Sequence, residues 1–394
     1  MRFEGYASLF RDRKTIVRTL ALHDGQKLEA VPPAEARERP RTVADRVHPE
    51  HIRWTVSAIR QETPTTKTLV LVPQPPPVPA FLPGQYLNVF VEVGSIRTSR
   101  PQSISSSPTL PGCVELTIKE KPDGFVSHFL VRELAVGDEL RTSGPEGDLF
   151  FNPARDRDRL LLVAGGSGIT PFMGMIEYVL GRYPAVLITL LYASHRADDV
   201  IFAQRLAALA RQHPDRLKVV LVISGPDASW GGERGYIDRD LIARYVPATD
   251  LRLSSVFVCG PRPMQQHVLE ELAALGMPRE RVQVESSGVA DDVTSLPGWP
   301  AEIEPTASFG VSLPGQSSPV RALAGEPLMT SLERAGLGGP ALCRNGVCGA
   351  CRRKLLGGSV YSDPAVANRD SDRAEGYVLL CTSYPLGDVV LARS

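Results

Sequence analysis

Two rhythms of apolar and polar positions divide most of this chain. From about residue 50 to 155, short apolar-rich runs lie between turn residues: Arg53–Ile59, Thr66–Val72, Tyr86–Val93, Cys113–Lys119 and Glu139–Thr142. That spacing predicts an antiparallel β-barrel. The segment Pro73–Pro83 carries six prolines and is predicted as loop, because proline cannot serve an inner strand. From about 156 to 287 the runs Leu160–Ala164, Val186–Ala193, Lys218–Ser224, Ser255–Cys259 and Val282–Glu285 are continuously apolar. Parallel strands buried on both faces look like this. Helical segments such as Phe202–Arg211 and Pro263–Leu275 separate them, so the pattern predicts a doubly wound α/β domain.

The flanks read differently. Residues 288–305, with Gly288, Pro297, Gly298, Pro300 and Pro305, read as a linker, and 306–394 as a small α+β unit. Residues 1–49 form a charged N-terminal extension. Phe3, Tyr6, Leu9, Phe10, Ile16, Val17 and Leu20 suggest helical spacing there, followed by a Pro/Arg/Glu tether over Val31–Arg41. A strap on a neighbouring domain and a partner-docking arm both fit. The expected organisation is therefore 1–49 extension, 50–155 barrel, 156–287 α/β domain, 288–305 linker and 306–394 terminal domain.

Composition narrows the function classes. The 394 residues hold 44 basic and 44 acidic side chains, and this balance argues against nucleic-acid binding, which needs a basic excess. No apolar run approaches the length of a membrane span. The first twenty residues carry Arg2, Glu4, Arg11, Asp12, Arg13, Lys14 and Arg18, which leaves no apolar core for a signal peptide. A soluble, cytoplasmic protein is the expectation. In that compartment the six cysteines point to metal binding or catalysis rather than disulfides.

Four of them gather near the C-terminus. Cys343, Cys348 and Cys351 are spaced C-x4-C-x2-C, and twenty-nine residues separate Cys351 from Cys381. This is the spacing of a plant-type [2Fe–2S] site, with three thiolates from one loop and the fourth from elsewhere. Zinc loops usually pair ligands as C-x2-4-C twice, which makes zinc the weaker alternative. A Rieske centre needs two histidine ligands, and no histidine follows His267. The segment 306–394 resembles a plant-type ferredoxin, which implies a β-grasp fold. Arg344, Arg352, Arg353 and Lys354 make a basic face near the cluster loop, suited either to an acidic partner or to solvent.

The α/β domain opens with a strand running into Gly165-Gly166-Ser167-Gly168-Ile169-Thr170-Pro171. Thr170 as N-cap and Pro171 as first helical residue would present backbone N–H groups to a pyrophosphate. Pro171 stands where a third fingerprint glycine would be. Cys259-Gly260-Pro261-Arg262-Pro263-Met264 lies at the carboxyl end of a later strand, where such sheets bind ligands. Together the two motifs resemble the nucleotide half of the ferredoxin–NADP reductase superfamily. The resemblance implies that the glycine turn holds pyrophosphate and that Cys259 lies beside the nicotinamide. It also implies Glu285 near the nicotinamide–flavin junction, although the aromatic often found two residues on is replaced by Ser287. After the second strand come Ser194, His195 and Arg196, with Asp198 and Asp199 close behind. Arginine favours a 2′-phosphate and an acid favours a free ribose hydroxyl, so NADPH is expected, with NADH as the alternative.

Nicotinamide delivers two electrons as hydride, and a [2Fe–2S] cluster accepts one, so a flavin is expected between them. The barrel holds Pro83-Gly-Gln-Tyr86 and Arg100-Pro-Gln102-Ser103, the latter resembling the superfamily's R-x-Y-S flavin motif. The resemblance implies Arg100 on the flavin phosphate and Ser103 near flavin N5. Gln102 departs from the family's aromatic, and a plain Ser-rich turn is the competing reading. Gly124-Phe-Val126-Ser127-His-Phe-Leu130 resembles the family's G-x-V-S-x-x-L turn, which implies Val126 and Ser127 N–H groups facing a pyrophosphate. That form implies FAD rather than FMN.

Four motif groups in the order barrel, nucleotide domain, ferredoxin resemble the reductase component of multicomponent oxygenases, hydroxylases or desaturases. The implied activity is electron transfer from NAD(P)H through FAD and a [2Fe–2S] cluster to a separate acceptor protein. A free-standing reductase of oxygen, ferric chelates or small molecules is one alternative. An electron-carrier or assembly module with a vestigial nucleotide site is the other. The chain shows no H-E-x-x-H and no recognisable oxygen-activating triad of its own.

Overall fold

β-Branched and aromatic residues alternate along the first strands, and the structure turns that alternation into a barrel. The computed structural model describes residues 51–122, 124–286, 292–339, 341–364, 366 and 369–393. The expectations for the N-terminal extension and for Ser287 lie outside the described residues. In chain order the barrel consists of β1 (Ile52–Thr63), β2 (Thr66–Gln74), β3 (Tyr86–Val93), β4 (Ile96–Ser103), β5 (Val114–Lys119), the helical turn α1 (Phe125–His128) and β6 (Glu139–Thr142). The sheet order is β4-β3-β6-β1-β2-β5, and an isolated bridge between Ile104 and Leu116 joins its two ends. Trp54, Leu69, Leu71, Leu87 and Leu116 are fully buried in its core.

Strand β4 is the one the apolar rhythm misses. Its sequence Ile-Arg-Thr-Ser-Arg-Pro-Gln-Ser is mostly polar and contains Pro101. Its position at the end of the sheet order tolerates proline, because the missing N–H faces no ladder on the open side. The flavin-like motif therefore sits on a strand, paired residue for residue with β3: Tyr86 with Ser103, Leu87 with Gln102, Val89 with Arg100.

The next layer is a parallel sheet of order β10-β9-β8-β7-β11-β12. It contains β7 (Arg159–Gly165), α2 (Thr170–Arg182), β8 (Leu187–Ser194), α3 (Ala203–Gln212), β9 (Leu217–Ile223), β10 (Glu233–Arg234), α4 (Arg239–Tyr245), α5 (Ala248–Arg252), β11 (Ser254–Gly260), α6 (Arg262–Ala274) and β12 (Val282–Ser286). Strands β7 and β11 lie side by side although a long stretch of chain separates them, so the strand order reverses there and leaves a crevice at their carboxyl ends. Apolar clusters cover both faces of this sheet, as continuous apolar strands require.

The last module is a mixed sheet of order β14-β13-β19-β15-β17 with a two-stranded β16-β18 ribbon. Its elements are β13 (Ser308–Ser312), β14 (Val320–Leu323), α7 (Leu328–Arg334), β15 (Arg352–Gly357), β16 (Val360–Ser362), α8 (Asp370–Ala374), β17 (Tyr377–Leu379), β18 (Ser383–Pro385) and β19 (Val389–Leu391). Helix α7 packs its buried Leu328, Met329 and Leu332 into the core that also holds Cys351 and Cys381.

Residues 50–394 form one compact unit, and specific contacts fasten its modules together. Arg205 on α3 makes two bonds to Glu177 at 2.7 Å and one to Glu115 of the barrel at 2.8 Å. Lys119 of β5 pairs with Asp199. A Cβ at Gly174 of α2 would stand 2.4 Å from the Ser106 carbonyl oxygen, so only glycine lets this helix approach the barrel so closely. Ser99 Oγ donates to the Ala341 carbonyl at 2.8 Å, and Arg262 pairs with Asp363, both reaching the terminal module.

Candidate functional site

A cavity of about 690 Å3 opens where the three modules meet. From the barrel it is lined by Arg100, Gln102, Ser103 and the turn Gly124–Ser127. From the α/β domain come Ser167, Gly168, Thr170, Cys259 and Glu285. From the terminal module come Glu333, Cys343, Arg344, Asn345 and Cys381. Residues more than two hundred positions apart thus share one space. A second cavity of about 760 Å3 adjoins it and includes Cys348, Arg262 and Gln283; Tyr86, Glu285, Cys343 and Asn345 line both.

The barrel wall is built on the β3–β4 pairing. Arg100 Nη1 donates to Thr98 Oγ1 and to the Ser99 carbonyl, each at 2.8 Å, and its guanidinium lies 5.8 Å from the Phe125 ring centroid. Burial first, then the neighbouring Arg344, pull its pKa down to about 10, against the opposing pull of Glu333. Ser127 Oγ accepts from the Lys121 N–H at 3.0 Å and donates to the Gly124 carbonyl at 2.9 Å, which closes the turn on itself. Val126 is buried and anchors that turn in the barrel core.

The α/β wall departs from expectation in one detail. Thr170 does not cap helix α2 but is its first residue, because a 3-10 turn over Gly166–Ile169 precedes it. Its hydroxyl donates to the Ser167 carbonyl at 2.8 Å instead. Pro171 is accordingly the second helical residue. Gly165 ends β7 and Gly166 takes a positive φ of 52°. At the neighbouring strand end, Gly260 closes β11 and Pro261 precedes α6. These glycines and prolines, outside the cavity lining, shape the crevice.

Cys259 and Glu285 occupy adjacent strand ends, paired in register between β11 and β12. Burial, with Glu285 nearby, raises the Cys259 thiol well above its usual range, so it stays neutral. Burial, reinforced by Asp148, pushes the Glu285 carboxyl up to about 8. Glu285 is therefore protonated at neutral pH.

Ser194 and Arg196 lie apart from the cavity, at the carboxyl end of β8. The Ser194 hydroxyl is buried without a partner. Arg196 is exposed and forks onto Asp198 at 2.9 and 2.8 Å. Asp199 is turned away into the barrel contact with Lys119 and Thr63.

The cysteine loop fits a two-iron cluster. Cys351 Sγ and Cys381 Sγ are 3.2 Å apart, and the Cys343 and Cys348 thiols are hydrogen-bonded to each other. Backbone N–H groups point at sulfur: Cys348 N lies 3.3 Å from Cys343 Sγ and Ala350 N 3.5 Å from Cys348 Sγ. Gly346 and Gly349 take positive φ values of 81° and 71°, which allows this wrapping. Soft thiolate donors in two pairs with converging amides suit iron–sulfur chemistry.

Two residues already named in the sequence take places at the site that the motifs do not assign to them. Tyr86 lines both cavities, and its phenol is kept protonated first by burial and then by the neighbouring Glu146 carboxylate. The Pro-Gly-Gln before it was the available signal. Arg344, adjacent in sequence to Cys343, is buried at the barrel contact rather than contributing to an exposed basic face. Nothing local marks it.

Fold and site together define a modular flavin- and iron–sulfur-dependent oxidoreductase that uses a nicotinamide nucleotide. The chain matches the oxidoreductase FAD-binding domain family over residues 55–151, the oxidoreductase NAD-binding domain family over 162–270 and the 2Fe-2S iron-sulfur cluster binding domain family over 313–386. It is 30% identical over 347 residues to the glycine betaine monooxygenase reductase subunit of Chromohalobacter salexigens, covering 84% of this chain and 92% of that one. It is 33% identical over 349 residues to the ferredoxin reductase component of 3-ketosteroid-9-alpha-monooxygenase from Mycobacterium tuberculosis, covering 85% and 93%. Phthalate dioxygenase reductase shares the fold with a TM-score of 0.64 at 20% identity, over 87% of this chain and 98% of that structure. The chain belongs to the ferredoxin–NADP reductase superfamily, in the branch that carries a C-terminal [2Fe–2S] ferredoxin domain and includes the reductase components of oxygenases. Among the described residues no helix is long and apolar enough to cross a membrane.

Proposed function

We propose that this chain draws electrons from a reduced nicotinamide nucleotide and delivers them singly to a separate oxygenase-type protein. The observation that carries this reading is the one cavity walled jointly by the flavin strand, the nicotinamide-end residues and the cluster cysteines. FAD would be held by Arg100, Ser103 and the Gly124–Ser127 turn. The nicotinamide would lie against Gly168, Thr170, Cys259 and Glu285. The cluster would be held by Cys343, Cys348, Cys351 and Cys381. When bound, the flavin supplies acceptance of hydride and release of single electrons, which the iron–sulfur group passes on one at a time.

The protein's part is placement. Gly168 brings the turn against the Cys259 backbone, so both sides of the crevice meet at the cavity. Neutral Cys259 and protonated Glu285 present uncharged walls there, and protonated Glu285 has a hydrogen to donate into the cavity. The relatives named as reductase subunits of monooxygenases support an oxygenase component as the acceptor.

For the nucleotide, NADPH is the proposed donor, with Arg196 meeting the 2′-phosphate. The closed Arg196–Asp198 pair keeps NADH as a second reading, because a phosphate must displace Asp198 to reach that guanidinium. Anaerobic titration with NADPH and then NADH, followed by absorbance and electron paramagnetic resonance, tests the scheme. Flavin bleaching with one FAD per chain and a rhombic reduced-cluster signal are expected. FMN, or zinc in place of iron, overturns the corresponding assignment. Fast turnover with oxygen or ferric chelates alone would favour the free-standing reductase.

A further inference from the structure

One side chain of the cluster loop leaves its own module. Arg344 follows the ligand Cys343 with a positive φ of 54°, unusual for a residue other than glycine. The turn aims its guanidinium at strand β4, where Nη2 donates to Thr98 Oγ1 at 2.8 Å and also reaches Glu333 of α7. Arg344 is only 8% exposed, and its Nε is buried with no partner. Arg100 shares Thr98 from the other side, and its Nη1 lies 4.0 Å from Glu333.

Two guanidinium groups and one carboxylate therefore meet at this edge of the cavity, a formal excess of one positive charge. The other charged pair lining it from the terminal module, Glu326 with Arg334 at 2.7 Å, neutralises itself. A desolvated excess charge is costly unless an anion matches it, and a spare buried N–H is costly unless an acceptor meets it. The phosphate of a flavin nucleotide is the anion that a flavin cavity offers.

We propose that Arg344 is a positioning residue that ties the cluster loop to the flavin strand, its charge matched by the flavin phosphate, so that FAD binding and seating of the cluster loop are coupled. This rests on the reading of the cavity as the flavin site. Coupling of this kind places the iron–sulfur group against the flavin only when the flavin is present.

The test uses the full chain with its cluster, stripped of flavin and titrated with FAD or with riboflavin, which lacks the phosphate. In Arg344→Ala the FAD dissociation constant is expected to rise at least tenfold, with riboflavin changed less than twofold. Thr98→Val, made in another module and far in sequence from Cys343, Cys348, Cys351 and Cys381, guards against a loop that simply misfolds. It is expected to weaken FAD severalfold and to alter the electron paramagnetic resonance of the reduced cluster. Unchanged FAD affinity in both variants overturns the proposal, as does an equal loss for riboflavin. A wild-type chain that binds neither flavin overturns the reading of the cavity itself.

Discussion

A Cβ placed on Gly168 would stand 2.1 Å from the carbonyl oxygen of Cys259. The glycine turn after β7 and the end of β11 are thus in backbone contact, at the point where the strand order reverses. That contact fixes the width of the crevice, and the atoms in the way are backbone, so they cannot rotate aside. Gly168→Ala is expected to destabilise the fold by about 1–3 kcal/mol through overpacking. Its nicotinamide-dependent flavin reduction should fall more than its flavin content. Denaturant unfolding and stopped-flow reduction under anaerobic conditions measure the two effects.

The cluster loop allows a cleaner separation of modules. Cys348 is the exposed member of the four cysteines and lies toward the second cavity. Cys348→Ser should remove the visible absorbance of the cluster and its reduced resonance signal while NADPH still bleaches the flavin. Simultaneous loss of both activities would contradict the modular arrangement.

The candidate cluster loop is legible in the sequence because the spacing of Cys343, Cys348 and Cys351 is local, and the wrapping of that loop needs only nearby glycines. The parallel strands were legible for a similar reason: burial on both faces writes itself into every residue of β7, β8 and β11. Strand β4 was not, because it is polar, carries Pro101 and acquires its strand character from β3 across the sheet. Thr170 was misplaced by one residue, since a 3-10 turn ahead of a helix leaves no compositional mark. Arg344 and Thr98 are 246 positions apart, and no periodicity connects them. The raised pKa of Glu285 leaves no mark in the sequence, because it comes from burial and from the charge of Asp148, more than a hundred residues away.

The proposed preference for NADPH rests on a single exposed pair. Arg196 is held by Asp198 through two bonds, and both groups are more than half exposed, so the pair is weak and displaceable. Arg196→Ala is expected to lower kcat/KM for NADPH about tenfold and to leave NADH nearly unchanged. Asp198→Asn should act in the opposite sense by releasing the guanidinium, favouring NADPH severalfold. Steady-state kinetics with both nucleotides at low salt checks the pair of outcomes, and an equal effect on the two nucleotides would remove Arg196 from the phosphate site.

Glu285 gives the protein a pH dependence with a definite sign. Its folded pKa is about 8, whereas an unfolded glutamate titrates near 4.5. Between these values the folded state holds a proton that the unfolded state has lost, so stability falls as pH rises from about 4.5 to about 8 and levels off above. Glu285→Gln fixes the uncharged form and should remove this slope, making the variant relatively more stable than the wild type at pH 9 than at pH 5. Thermal unfolding midpoints across that range measure it. If the protonated carboxyl is also what the nicotinamide meets, wild-type flavin reduction should decline above pH 8, while the variant keeps a flat profile through the same range. Parallel declines in the two proteins would assign that pH effect to another group.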